Sequence, residues 1–356
     1  MVCVAAFIIL IIVGVFVAFI SIFKPKVGKK YLKTLKRSWG CVGKRITLQK
    51  CETGLGDDIK NSILSKLIIK KPKLVKPVSA IIEIASILIV LITIWSLVEG
   101  VKAGLALYSL GTCNVKHAEA CSLGSEVCSI DGNVAHNPIE AIGLWFSDWG
   151  EIFGAIPDKF RDWNAENFDA EGIKLSSGKE NAPKAIDFFD PGCIVCLQSY
   201  KAQKESGFFE NYDVTLVPFP IQDVNGKFKY SNSKLIVEYI FATYWYAEET
   251  SAAFDQPAMH IIDRIFMEQD EEGIPYQDRF NDYYSAKETE AKLQEWLEEF
   301  GYSEENIQEI SELAKSDRVA DAINKNNDLV VNNMHAKGIP TMLYDGKKHT
   351  GKYEVK

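Results

Sequence analysis

Histidine is scarce in this chain, five in 356 residues, and the cysteines are not laid out as a metal site. One Cys-x-x-Cys is present, Cys193 and Cys196, with no second CxxC and no Cys/His pair at ligand spacing near it. Zinc would find half a site there. A second absence concerns the N-terminus. No basic residue precedes the first apolar run, residues 2–23, whereas Lys24, Lys26, Lys29 and Lys30 follow it at once. A cleaved signal peptide has the reverse polarity, so the run reads as a retained span with its N-terminus outside. A third scarcity is positive charge beyond one block. Residues 24–77 hold sixteen Lys/Arg against three acids, a balance of +13 inside a net charge of −8. The remainder therefore carries −21, which excludes a nucleic-acid-binding body.

Two stretches are long and apolar enough to cross a bilayer: residues 2–23, with no charge, and residues 78–98, with only Glu83. Excess Lys/Arg between two spans marks the cytoplasmic side. Residues 24–77 are thus expected to be a basic cytoplasmic loop, and everything after about residue 100 to be extracytoplasmic, where disulfides form and persist. The expected partners include the lipid bilayer itself, whose anionic headgroups suit the basic loop. Glu83 lies near the cytoplasmic end of the second span, facing either the interface or a partner helix.

The most informative positive feature is the setting of the CxxC. An apolar run, Ala185-Ile186-Asp187-Phe188-Phe189, ends at Asp190-Pro191-Gly192. Cys193-Ile194-Val195-Cys196 then opens a helix-like run to residue 206, and a strand-like run follows at residues 214–219. Two cysteines across the first helical turn of a βαβ unit form a redox dithiol. Free N–H groups and the helix dipole favour a charged Cys193, the more exposed of the two by position. Cys196, one turn in, is the resolving thiol. Strand alternation directs Asp187 beneath Cys196, where a buried carboxylate moves protons to and from the thiol; the alternative is a solvent-facing Asp. Downstream, Gly338-Ile339-Pro340-Thr341 enters a strand through a proline. That proline is either a cis bend beside the dithiol, leaving the Ile339 backbone free for a substrate strand, or a trans residue at a strand entrance.

The remaining cysteines divide by side. Cys41 and Cys51 are in the basic loop, either as a regulatory pair or as two reduced thiols. Cys113, Cys121 and Cys128 lie beyond the second span, where three thiols give one disulfide and one left over. Cys3, at the outer edge of the first span, is a candidate partner for the odd one. Residues 137–168 carry Trp145, Phe146, Trp149, Phe153, Phe160, Trp163 and Phe168 at helical spacing. They suggest amphipathic helices over 138–153 and 157–167, packed on the domain or lying on the membrane. Residues 169–182 read as a linker, and residues 232–337 as an acidic helical region.

These residues resemble the thioredoxin superfamily, and its DsbA-like branch in particular. The resemblance covers about residues 183–356. Ile186-Asp187-Phe188-Phe189 followed by Cys193-x-x-Cys196 is similar to the family's strand-and-dithiol pattern, and Asp187 stands where thioredoxins keep a buried acid. Gly338-Ile339-Pro340-Thr341 resembles the cis-proline motif, with Asp345-Gly346 turning the hairpin after it. The resemblance implies a DsbA-like helical subdomain over about 232–337. Three departures stand out: Gly192 replaces a bulky residue before the first cysteine, Ile194-Val195 is neither Pro-His nor Gly-Pro, and the terminal helix after the last hairpin is expected to be absent or very short.

The expected fold class is α/β: a thioredoxin-like fold with a helical insertion, preceded by two transmembrane helices and a basic cytoplasmic loop. The domains expected are spans at 1–23 and 78–98, the loop at 24–77, a cysteine-containing linker with amphipathic helices at 99–182, and the redox domain at 183–356. The expected function is membrane-anchored thiol–disulfide exchange. Cys193 attacks, Cys196 resolves, Asp187 assists, and Ile339, Pro340 and Thr341 shape the substrate groove. The partners are extracytoplasmic cysteine-containing clients and a membrane redox-recycling partner, without nucleic acid; no metal or organic cofactor is implied. The competing readings are a non-catalytic thioredoxin-like receptor or scaffold, and a redox sensor coupled to the cytoplasmic loop.

Overall fold

The computed structural model describes residues 72–120, 126–223, 225–250 and 255–354. The first apolar run, the basic loop as far as residue 71, Cys3, Cys41, Cys51, Cys121 and the side chain of Glu83 lie outside the described residues. The chain divides into two compact units, residues 1–102 and 103–356.

Helix α1 (Val75–Leu110) contains the stretch expected to span, residues 78–98, and continues well beyond it. Gly100 and Gly104 do not stop it; it ends at Gly111, whose φ of 78° is a glycine conformation. Within it, Leu91–Leu110 is long and apolar enough to cross a membrane. At its end, Ala106 forms a small apolar cluster with Val115 and Ile152. Ile152 belongs to helix α2 (Pro138–Gly154), capped by Asn137, whose side chain accepts from the Glu140 amide. The second amphipathic helix expected at 157–167 is instead two short tight turns, Pro157–Phe160 and Ala165–Asn167. Between them Trp163 is buried, stacked on Phe168, and donates to the Asp158 carbonyl at 2.9 Å.

The C-terminal part of the chain is built on a five-stranded sheet, in the order β2 (Ile173–Leu175), β4 (Asp213–Pro218), β3 (Lys184–Phe189), β6 (Thr341–Tyr344), β7 (Lys347–Thr350). Its centre is β3 (Lys184–Phe189), buried from Ala185 onward. A central strand covered on both faces is apolar throughout, which is why this run carries no polar alternation apart from Asp187. Helix α3 (Ile194–Ser206) crosses to β4 (Asp213–Pro218), parallel to β3. On the other side β6 (Thr341–Tyr344) runs antiparallel to β3, and β7 (Lys347–Thr350) closes the sheet. Asp345 and Gly346, both at positive φ (53° and 68°), make the two-residue turn between them. This strand order and direction is that of a thioredoxin-like fold. The segment taken as a linker supplies the outer strand β2 (Ile173–Leu175), which pairs with β4. Gly172 permits that approach, since any side chain there would run into the Leu216 carbonyl.

The expected helical insertion comprises α4 (Ser233–Thr250), α5 (Gln256–Met267), α6 (Ala286–Phe300), α7 (Glu304–Ala314) and α8 (Asp317–Asp328). Ser285 and Glu288 form a capping box at the start of α6, and Ser303 with Asn306 does the same for α7. Helix α4 is buried on nearly all sides, Ile236 to Ala242 included apart from Glu238. Trp296 of α6 is fully buried, edge-on to Tyr276 and Phe280 with the Arg264 guanidinium over its ring. Trp296→Ala should cost about 3–5 kcal/mol. Urea unfolding followed by far-ultraviolet circular dichroism checks this; an unchanged midpoint would contradict the packing described.

Candidate active site

Sheet register brings the two distant motifs together. Phe188 pairs with Thr341 across β3 and β6, so the ends of the two strands that carry Cys193 and Pro340 share one edge of the domain. The Ile339–Pro340 bond is cis. Before the bend, β5 (Gly338–Ile339) lies outside the five-stranded sheet and pairs with a separate two-residue strand. Cys193 Sγ lies 3.7 Å from the Ile339 carbonyl oxygen. Thr341 is fully buried, and its hydroxyl donates to the Gly338 carbonyl at 2.7 Å.

Cys193 is the N-cap of α3, and its sulfur accepts from the Cys196 amide at 3.3 Å. An N-terminal amide aimed at sulfur favours its charged form when the thiol is free. Cys196 is a buried free thiol. Burial pushes it well above the usual thiol range, and the nearby Asp190 and Asp187 carboxylates add to that while the Asp190 amide opposes it. Such a thiol needs a proton acceptor at hand before it can attack.

Asp187 is that candidate acceptor. It is 3% exposed on β3, and burial raises its pKa to about 7, opposed by the amide of Gln203, which donates to Oδ2 at 2.7 Å. Its Oδ1 is buried without a hydrogen-bond partner. A carboxyl group in this setting changes protonation near neutral pH, which suits proton exchange with a thiol.

Three further groups hold the active-site turn and were not singled out from the sequence. Asp190 is fully buried and accepts from the amides of Gly192 at 2.7 Å and Ile221 at 2.6 Å, and from the Ser233 hydroxyl. Burial raises its pKa to about 6, against those hydrogen bonds. From the insertion, Gln277 donates to the Pro191 carbonyl at 2.7 Å and the Cys193 carbonyl at 3.0 Å, and Asn281 donates to the Gly192 carbonyl at 2.8 Å. The insertion thus fixes the dithiol turn as well as covering the domain. Gly192, one of the departures noted above, also has a local cause: a Cβ there would collide with the Tyr230 ring.

The sulfur pairing differs from the expected one. Cys193 is bonded to Cys128, with a Cα–Cα separation of 6.1 Å, and Cys196 stands free. Cys128 belongs to β1 (Cys128–Ser129), which pairs antiparallel with β5, Cys128 opposite Ile339. This strand covers the site, so Cys193 is fully buried rather than the exposed member of the pair. Cys113 is also in a disulfide, whose partner lies outside the described residues. Among the described residues, no group of three or more His, Cys, Asp or Glu side chains is arranged to hold a metal ion.

No family model matches the chain, and no curated protein matches it. Similar solved structures include the catalytic domain of Proteus mirabilis ScsC, 12% identical, covering 52% of this chain and 84% of that one, with a TM-score of 0.34. The thiol–disulfide exchange protein alpha-DsbA2 from Wolbachia pipientis is 16% identical, with coverages of 56% and 88% and a TM-score of 0.35. MdbA, a thiol–disulfide oxidoreductase from Corynebacterium diphtheriae, is 14% identical, with coverages of 51% and 91% and a TM-score of 0.35.

The state of Asp187 sets a pH dependence. Folded, it holds its proton up to about pH 7; unfolded, it releases it near 3.8. Between those values the folded chain binds more protons, so this group's contribution to stability falls as pH rises and levels off above about 7. Asp187→Asn removes the fall. The variant should gain of order 2–4 kcal/mol on the unaltered chain between pH 4 and pH 8. Denaturation midpoints across that range check it, and parallel curves for the two chains would show Asp187 to be an ordinary carboxylate.

A second variant tests the turn. Gln277→Ala leaves two buried carbonyls unpaired and should cost about 1–3 kcal/mol. Gln277→Glu, still able to reach but unable to donate when ionised, should cost at least as much. Equal stability of all three chains in urea would contradict the role given to this amide.

Proposed function

We propose that this protein is a membrane-anchored thiol–disulfide oxidoreductase acting on extracytoplasmic cysteine-containing proteins. One observation carries the reading: Cys193, bonded to a strand that pairs with Gly338–Ile339, has its sulfur 3.7 Å from the Ile339 carbonyl, with a free buried thiol one helical turn behind it. A client strand entering the same groove would have its own cysteine opposite Cys193. The client's thiolate attacks Cys193 of the Cys193–Cys196 disulfide, and Cys196 leaves as a thiolate that takes a proton from Asp187. A second client thiolate then displaces Cys193, so the client gains a disulfide and the dithiol is reduced. Reduction of clients is the same sequence reversed; the oxidising compartment favours the forward direction.

Membrane anchoring is supported by the apolar stretch Leu91–Leu110 of α1 and the basic block before it. The exposed face of α2 adds to this: Ile139, Ile142, Phe146 and Phe153 are all more than half exposed, as is Phe160 in the turn that follows. An apolar face of this kind suits the lipid interface. Recycling of the dithiol then falls to a redox partner in the same membrane.

The test is capture in cells. Because Cys128 occupies Cys193, the trap is built on Cys128→Ser together with Cys196→Ala, which leaves Cys193 free but unable to resolve. The expected result is a set of extracytoplasmic cysteine-containing proteins in covalent complexes, all lost when Cys193→Ala is added. Recovery of none sinks the assignment.

A further inference from the structure

We propose that Cys128 is a third redox-active cysteine, a resident occupant of the substrate groove that exchanges with the Cys193–Cys196 dithiol. This rests on the exchange reading above and extends it. The sequence left one cysteine of the 113–128 segment without an obvious mate. In the structure that cysteine is on the sulfur proposed to form the mixed disulfide with clients, and its strand occupies the edge a client strand would need.

The fit of β1 in the groove is specific. Ile130 continues the ladder, its amide donating to the Lys337 carbonyl at 3.1 Å. Val127 packs so close to Gly338 that a Cβ on that glycine would stand 2.9 Å from the valine Cβ. Ser129 is 1% exposed and held from both sides: its amide donates to Glu119 at 2.8 Å, its hydroxyl accepts from the Ala118 amide at 3.0 Å and donates to Asp131 at 2.8 Å. Lys229, from the other side of the groove, donates to the Ser129 carbonyl at 3.2 Å and pairs with Glu119. A cysteine placed by that many contacts opposite Ile339 is positioned as a client cysteine would be.

The chemistry closes without an outside reagent. In the occupied form the Cys196 thiol gives its proton to the Asp187 carboxylate, and the thiolate attacks the Cys193 sulfur. The Cys193–Cys196 bond forms, the Cys128–Cys193 bond breaks, and Cys128 leaves as a thiolate that takes up the proton. One disulfide is consumed and one is made, so there is no net oxidation. The forward step yields an oxidised dithiol with an open groove; the reverse step covers the groove and stores the disulfide on Cys128. Clients compete with β1 for the edge of β5, and the fraction of chain with β1 displaced scales their apparent reactivity.

The experiment uses the full chain in lipid nanodiscs, equilibrated at a series of reduced-to-oxidised glutathione ratios, alkylated, and mapped by peptide mass. The unaltered chain should divide between 128–193 and 193–196 links, in a proportion that moves with the ratio. Cys196→Ser should hold only the 128–193 link. Cys128→Ser should hold only the 193–196 link and oxidise a reduced two-cysteine peptide about tenfold faster than the unaltered chain or more. Absence of the 128–193 link from Cys196→Ser, or a Cys128→Ser rate no higher than that of an active unaltered chain, overturns the proposal. If neither chain oxidises the peptide while the 128–193 link is present, the exchange function fails instead and the pairing of Cys128 stands.

Discussion

Phe188 lies opposite Thr341 in the β3–β6 ladder, and that one register decides whether the molecule has a site. A slip of one residue would turn the β6 side chains to the opposite face and shift the Ile339 carbonyl off the Cys193 sulfur. The register is set by what flanks it: a central strand buried on both faces, and a two-residue Asp345-Gly346 turn that fixes where β7 returns. The helical insertion then holds the connecting turn from outside through Gln277 and Asn281. The turn is therefore clamped by groups far apart in the chain. That suits the proposed exchange, in which the sulfur meets an incoming strand at a fixed distance.

Burial gives the site its electrostatic character. Two carboxyls, Asp187 and Asp190, are pushed up to about 7 and about 6 by desolvation, and the Cys196 thiol is pushed well above its usual range. Their roles part on hydrogen bonding. Asp190 is engaged by three donors and fixes the backbone. Asp187 has one oxygen held by Gln203 and one without a partner, which leaves it able to carry a proton.

Much of this was legible in the sequence because the signals are local. A CxxC at the head of a helix, a strand feeding it, a proline entering a later strand, Asp-Gly at a hairpin and a long amphipathic region each leave a short pattern. What escaped depends on contacts across the chain. Cys128 pairs with a residue 65 positions away, and disulfide connectivity is not written in spacing. Gln277 and Asn281 are single polar residues in a helical region, reaching back more than 80 positions to bare carbonyls. Strand β2 is three residues long, too short for alternation to mark it, and it depends on Gly172 lying against Leu216. The stretch 157–167 has helical spacing but folds as two turns, with Trp163 anchored to the Asp158 carbonyl.

The Cys193 turn and the Gly338–Ile339 edge are proposed to act together on one incoming strand. Hydrogen exchange tests this most directly. A cysteine peptide is linked by a disulfide to Cys193 in the chain carrying Cys128→Ser and Cys196→Ser, and amide exchange is followed over residues 337–339. Exchange there should be slow in the linked chain and fast once the peptide is released by reductant. Exchange over 337–339 that is the same with and without the attached peptide would contradict it.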